Sequence, residues 1–403
     1  MDIVLGDEVE MGEEHPAEAD RPLVSMVVPA LNEETTVGEF IEWCWEGLDK
    51  AGVQGEILIV DSSMDCTGVI AEAKGARVLR VPKRGLGRAY IDATPYIRGE
   101  YVIMGDCDLT YDFRELGPFV DKLHEGYDFV MGSRFKGYIA PGAMPALHRY
   151  FGTPVTTWVL NLMYGTRYTD IHCGMRALTL DSLKRIGLES QGWEYASEMV
   201  LKAARLKLRT CEVPVRFYSD REGRVSHHKR TGWFSPWKAG WQNLRAMFLY
   251  APDFFLAKPG WVSLALGLAL TLSLVGGPYQ LFGVGLNLHW MLLGLTLTTL
   301  GYSALQLGIL ARVFYNFDPA YTRRVERMIT YNKGVITGIT LGSVGVVLNL
   351  GLVIIWLRSG LRLAEFYHPA ILGLLLIILG FQTFAFTLLL HMILKDRTRP
   401  SEE

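Results

Sequence analysis

The stretch Tyr101-Val-Ile-Met-Gly-Asp106-Cys-Asp108 sets a four-residue apolar run directly before two carboxylates one residue apart. A short continuous apolar run bounded by glycine fits a strand buried on both faces. Such strands belong to parallel sheets covered by helices, where ligands collect just beyond the strands' carboxyl ends. Asp106 and Asp108 therefore stand where chemistry is to be sought. Two hard oxygen donors at this spacing can turn toward one divalent cation, which in turn bridges a diphosphate. On the pattern alone, a turn closed by an Asp side chain fits equally well.

Outward from this strand the chain alternates apolar runs with helix-period segments. Strands are expected at 24–28, 56–60, 77–81, 101–104 and 129–131, with helices near 35–51, 67–74, 87–97 and 114–125. This β-α-β order implies an α/β domain with a mostly parallel, Rossmann-like sheet. The residues after each strand are polar: Pro29, Ala30, Asn32 and Glu33 after the first, Asp61, Ser63 and Asp65 after the second. After the third come Lys83, Arg84, Gly85, Gly87 and Arg88. Asn, Asp and Ser also cap helices and close turns, and singly the Asn32 and Ser62 segments read that way. Four such segments at one sheet edge, with cations and with glycines that admit close backbone approach, favour the metal reading of Asp106 and Asp108.

The remainder of the chain is another material. Mean hydropathy of +0.18 and 50% hydrophobic residues over 403 positions exceed what a globular fold needs. The excess lies in four runs near 258–280, 289–313, 334–357 and 369–394, each long enough for a hydrocarbon core of roughly 30 Å. The 278–290 loop has no Lys or Arg, whereas the 312–333 loop holds Arg312, Arg323, Arg324, Arg327 and Lys333. The positive-inside rule then puts the N-terminal domain, that loop and the tail at 395–403 in the cytoplasm. The spacing Gly334, Gly338, Gly342 permits close helix packing and a homo-oligomer through the membrane helices. Segments 144–165 and 231–257 are apolar and aromatic, and Trp233, Trp237 and Trp241 share one helical face, as in amphipathic helices lying in the headgroup layer. Residues 1–21 are acid-rich, without the basic start and apolar stretch of a signal peptide, and read as a disordered leader. Net charge of −2 offers no global field for nucleic acid.

Taken in order, VVPALNEE (27–34), Asp61 with Asp65, GLGRA (85–89), DCD (106–108), MGSRF (131–135), DIHCGMRA (170–177) and GWEYASEM (192–199) resemble family 2 glycosyltransferases of the GT-A fold. Within that group they are similar to polyprenyl-phosphate and dolichyl-phosphate sugar synthases. The resemblance covers about 24–230 and implies a GT-A domain at 22–230. It implies that Pro29 to Glu33 and Asp61 surround the base and ribose of a GDP- or UDP-linked sugar, and that Asp106 and Asp108, flanking Cys107, bind Mg²⁺ or Mn²⁺. It further implies that Arg134, Arg149 and Thr153 contact the phosphate of a polyprenyl or dolichyl phosphate. Arg221, Arg224, Ser226 and Lys229 resemble the family's Arg-x-x-Gly-x-Ser-Lys loop, with His227 and His228 displacing the lysine. With Arg176, these cations beside apolar helices suit a lipid phosphate, which arginine grips in bidentate fashion.

A phosphate acceptor is largely the dianion at neutral pH and needs no general base. A hydroxyl acceptor would need one, and Glu194, Glu198 and Asp170 are the carboxylates available; Glu194 is expected to orient the sugar. Two rivals follow. A processive polysaccharide or glycolipid synthase is suggested by Gln242-Asn-Leu-Arg245-Ala246, which has Ala246 where the Gln-x-x-Arg-Trp signature has Trp. A non-catalytic carrier is opposed by the intact DxD and the arginine set.

Overall fold

The computed structural model describes residues 21–221, 245, 251–316, 318–361 and 368–396. The leader at 1–20, Arg224, Ser226, Lys229, the 233–241 tryptophans, Gln242 and most of the tail lie outside the described residues. Two compact units divide the chain, at 1–250 and 251–403.

The first unit runs β1 (Val24–Ala30), α1 (Val37–Ala51), β2 (Gly55–Asp61), α2 (Thr67–Ala73), β3 (Arg77–Arg80), α3 (Leu86–Ala93), β4 (Tyr101–Met104), α4 (Gly117–His124), β5 (Phe129–Ile139), α5 (Thr153–Tyr164), β6 (Arg176–Thr179), α6 (Leu180–Ile186), α7 (Tyr195–Arg205) and β7 (Thr210–Phe217). The seven strands form one sheet in the order β3-β2-β1-β4-β6-β5-β7. Four of the pairings are parallel; β6 alone runs against both of its neighbours. Every residue of β4 is buried, as are all but one each in β1 and β2, which is why these strands lack the alternation of a half-exposed sheet. Helix α1 turns Val37, Phe40, Ile41, Cys44 and Leu48 inward, and Phe40 meets Phe113 edge-to-face at 4.8 Å. The single helix expected over 87–97 stops at Ala93 and tightens into a 3₁₀ turn over Thr94–Tyr96, because Pro95 has no N–H to continue the ladder. Parallel register brings the ends of β1, β2 and β4 to one edge: Ala30 lies beside Asp61 and Val27 beside Met104.

The second unit contains α8 (Lys258–Ser273), a hairpin of β8 (Tyr279–Leu281) and β9 (Val284–Leu286), then α9 (Leu288–Tyr315), α10 (Pro319–Met328), α11 (Tyr331–Arg358) and α12 (His368–Asp396). Four helices are long and apolar enough to cross a membrane: Phe254–Ser273, Leu288–Tyr315, Tyr331–Arg358 and His368–Asp396. The first ends at Ser273 rather than near 280, since Gly276, Gly277 and Pro278 break the helix and lead into the hairpin. Of the 231–257 segment, Asp253–Ala257 form a π-helical turn entering α8.

Glycines seam these helices in pairs. A Cβ on Gly338 would lie 2.8 Å from Gly380 O, and one on Gly334 would enter Thr387, so α11 and α12 approach backbone to backbone. Gly267 and Gly301 do the same between α8 and α9. The expected oligomer seam at Gly334 and Gly338 is thus occupied within the chain; a Cβ at Gly342 meets nothing.

Candidate active site

The loops after β1 and β2 are zipped together by their own polar groups. Asn32 N–H donates to Ser63 Oγ at 2.8 Å, while Met64 N–H donates to Asn32 Oδ1 at 3.1 Å. Glu33 N–H donates to Thr67 Oγ1, and Asp65 Oδ1 accepts from Thr67 N–H at 3.0 Å. Asn32 adopts a left-handed backbone, φ +56, which Asn tolerates. Asp61, buried, accepts from Ser63 N–H and lies against Gly68, where a Cβ would be 2.4 Å from its Oδ2. Asn32, Ser63 and Asp65 therefore serve first to hold this edge in shape.

After β3, Arg84 and Arg88 both turn back onto Asp92, at 3.1 and 2.8 Å. Lys83 is exposed and has no ion-pair partner among the described residues. Gly85 has φ +123, and a Cβ there would lie 2.3 Å from Gln191 O; at Gly87 it would lie 2.1 Å from Ser190 O. The close approach for which these residues must be glycine is thus to the chain's own 190–192 loop. Arg88 N–H ties that loop down by donating to Gln191 O at 3.1 Å. The loop is held from its other side by Glu198, fully buried, which accepts from Glu189 and Ser190 N–H and pairs with Lys202 Nζ at 2.6 Å.

At the end of β4, Asp106 and Asp108 are half-buried around buried Cys107. Asp108 Oδ1 accepts from Thr110 N–H at 3.0 Å and Oγ1 at 2.6 Å, so the turn reading describes one of its oxygens. Leu109 next to it has φ +61, an unfavourable conformation for a γ-branched residue, and its burial holds it there. Asp106 lies against Gly174, where a Cβ would be 2.7 Å from its Oδ2. This contact brings the 170–174 segment to the carboxylates. Among the described residues no group of three or more His, Cys, Asp or Glu side chains gathers. Two hard carboxylates without soft partners do not fit a closed zinc site; they do fit a cation that takes its other ligands from a diphosphate and water, as Mg²⁺ or Mn²⁺ does.

Arg134 on β5 is clamped by fully buried Asp170, its Nε at 2.6 Å from Oδ2 and its Nη2 at 2.8 Å from Oδ1. Burial works to raise the Asp170 carboxyl, but the Arg134 guanidinium overrides it and holds the group below the usual carboxylate range. Asp170 is itself placed by Glu212 on β7, which accepts from Thr169 N–H at 2.7 Å and Asp170 N–H at 3.1 Å. His172 Nε2 meets Thr156 Oγ1 of α5 at 2.9 Å, and burial lowers its pKa to about 4.

The remaining cations divide. Arg149 is half-buried with its guanidinium 5.6 Å from the Tyr150 ring, and Thr153 is buried at the start of α5. Arg221 is exposed and pairs with Glu39. Arg176 is a correction: it is 0% exposed and donates to Cys173 O and Ala196 O, so an interior guanidinium stands where a surface phosphate ligand was expected. Glu194 keeps one oxygen, Oε2, buried with no hydrogen-bond partner. Helix α5 with the turn before it exposes Leu147, Tyr150, Phe151, Trp158 and Leu162, the apolar face expected of segment 144–165. Sequence reasoning missed Asp92, whose i,i+4 spacing to Arg88 was a usable signal. It also missed Glu212, which lies 42 positions from Asp170 and carries no such signal.

Comparison with known proteins follows the same division of the chain. Residues 25–187 match the family described as Glycosyl transferase family 2, and residues 309–394 match the Glycosyltransferase family 2 C-terminal transmembrane region. The low-salt glycan biosynthesis hexosyltransferase Agl6 of Haloferax volcanii is 33% identical over 371 residues, covering 90% of this chain and 86% of the relative. A dolichyl-phosphate hexose transferase of the same organism is 31% identical over 204 residues, 50% of this chain and 84% of its own length. Among solved structures, glucosyl-3-phosphoglycerate synthase from Mycobacterium tuberculosis with Mn²⁺, UDP-glucose and phosphoglyceric acid is 22% identical, with a TM-score of 0.45 over 58% of this chain and 80% of that one.

Proposed function

The chain belongs to the family 2 glycosyltransferases, and from that membership we propose that it moves a hexose from a GDP- or UDP-linked sugar to a polyprenyl or dolichyl phosphate at the cytoplasmic face of a membrane. The observation that carries the choice of acceptor is the state of the carboxylates. Of the three that could serve a hydroxyl acceptor as base, Asp170 is sealed against Arg134 and Glu198 against Lys202, both fully buried. A phosphate acceptor needs neither. The hexosyltransferase and dolichyl-phosphate relatives support the same reading.

In the proposed reaction a phosphate oxygen of the acceptor attacks the anomeric carbon from the face opposite the nucleotide. The bond from that carbon to the diphosphate breaks, the nucleoside diphosphate leaves, and the configuration inverts. An α-linked donor then yields a β-linked lipid monophosphate sugar. Asp106 and Asp108 are the residues to hold Mg²⁺ or Mn²⁺, which when bound offsets charge on the departing diphosphate. Lys83 faces solvent at the same sheet edge and can meet phosphate oxygens. The 29–33 and 61–65 loops form a rigid wall for base and ribose, and Glu194 Oε2 accepts from a sugar hydroxyl. On the acceptor side Arg149 and Arg134 are the guanidiniums for the lipid phosphate. Asp170 holds the planar fork of Arg134 in one orientation, so little order is lost when an anion arrives. The exposed face of α5 suits the headgroup layer.

The test is purified full-length protein with a panel of nucleotide sugars, Mg²⁺ or Mn²⁺, and either polyprenyl phosphate or diacylglycerol. The expected product is a sugar-linked polyprenyl phosphate, with Glu194→Gln raising KM for the donor and changing kcat little. Transfer only to the hydroxyl lipid, with kcat abolished in Glu194→Gln, would replace this reading by a glycolipid synthase with Glu194 as base.

A further inference from the structure

Helix α10 (Pro319–Met328) lies between two membrane-crossing helices yet is built unlike any of them. Its start is capped by Asp318, whose Oδ1 accepts from Tyr321 N–H at 3.1 Å, and Thr322 Oγ1 donates to Asn316 Oδ1 at 2.7 Å. One face is docked: Val325 packs with Val313 at the end of α9 and with Phe386 and Leu390 near the end of α12. Arg312 stacks on Tyr321, its guanidinium 3.5 Å from the ring centroid. The opposite face presents Arg323, Arg324 and Arg327 at i, i+1 and i+4, all exposed, beside exposed Met328. None of these three arginines has an ion-pair partner among the described residues.

The packing fixes where this cationic face sits. Gly334 near the start of α11 packs on Thr387 near the end of α12, so the start of α11 and the ends of α9 and α12 share one end of the helical unit. Exposed Lys333 and Lys395 lie at that same end. A rigidly docked amphipathic helix at the level where the spans leave the hydrocarbon lies in the headgroup layer. Its unneutralised guanidiniums, planar forks suited to paired phosphate oxygens, then face the phosphates of that layer.

We propose that α10 is a binding site for the phosphate headgroups of anionic membrane lipids, with Arg323, Arg324 and Arg327 as the ligands. The arginines do not take part in sugar transfer; they hold this end of the helical unit at a fixed depth in an anionic leaflet.

The test uses full-length protein in phosphatidylcholine nanodiscs with a fluorescent phosphatidylglycerol as probe. The wild type should concentrate the probe over a labelled phosphatidylcholine, and salt should weaken it. Replacing all three arginines by Gln should weaken it by on the order of 100-fold, about fivefold for each charge near the surface. Arg358→Gln, at the opposite end of α11, should change nothing, and three Lys replacements, which keep the charge and lose the fork, should fall between the wild type and the Gln variant. Equal uptake of both lipids by the wild type, or full retention by the Gln variant, would overturn the proposal. So would displacement of the probe by millimolar inorganic phosphate, which marks a soluble-anion site, or preference for polyprenyl phosphate over phosphatidylglycerol, which marks an acceptor site. Should the triple variant lose its fold, judged by its melting temperature, the single variants carry the test at about fivefold each.

Discussion

Among the described residues, the sheet unit buries charges in pairs and the helical unit buries none. In the first, buried Asp170, Glu198 and Glu56 each face a cation, Arg134, Lys202 and Arg77. In the second, the Asp, Lys and Arg residues of the four spans stand near their ends, and the helices meet through glycines and hydroxyls, with Tyr302 Oη 2.7 Å from Thr383 Oγ1 and Gln382 Nε2 donating to Ser303 Oγ at 2.9 Å. The difference follows from the solvent that each unit displaces. A domain folding from water can bury a paired charge that also orients a reacting group; helices assembled in hydrocarbon gain by close backbone approach and short hydroxyl contacts.

Substitutions in each unit test this difference. Asp108→Ala should lower kcat/KM by at least about 10³-fold, and chelation of the wild type should do the same until Mg²⁺ or Mn²⁺ is restored. Asp170→Ala strands Arg134 in the interior and should cost about 3–5 kcal/mol in denaturant unfolding of the sheet unit, much of it recovered when Arg134→Met is added. If the double variant is no more stable than the single, the two side chains are not the coupled pair described here.

The same kind of change in the helical unit acts through volume rather than charge. Gly380→Val should drive α11 and α12 apart at a cost of about 1–3 kcal/mol, read as a lower melting temperature in detergent. A pH series separates the units further. His172 has its folded pKa lowered, mainly by burial, to about 4. The unfolded chain takes a proton near its ordinary value of about 6.5 while the folded one does not. The stability tied to neutral His172 is therefore full above that value and is lost as pH falls toward 4. His172→Gln should flatten this part of the melting profile, and a profile unchanged by the substitution would assign the slope elsewhere. The smallest effect is expected for Tyr302→Phe, about 0.6 kcal/mol, because a hydroxyl contact in hydrocarbon competes with other partners.

Much of this architecture was legible beforehand, and the places where it was not share a cause. All five strands expected before residue 135 form within one to two residues at most ends, since burial on both faces leaves a continuous apolar run; β5 runs on to Ile139. The four spans were legible for the same reason at larger scale. Strand β6, antiparallel and only four residues long, and the 279–286 hairpin were not, because nothing in their local pattern tells a partner's direction.

The two materials of the chain, the order of strand and helix, and the position of Asp106 and Asp108 at a strand's carboxyl end are written in local pattern, because periodicity and apolar length are local properties. What each polar group contacts emerges from the packing of the folded chain. Gly85 and Gly87 yield to a loop of the chain itself, and Arg176 sinks into the interior. Arg134 is set by an aspartate 36 positions away. Such pairings depend on which distant segments the fold brings together, and no spacing along the chain encodes them.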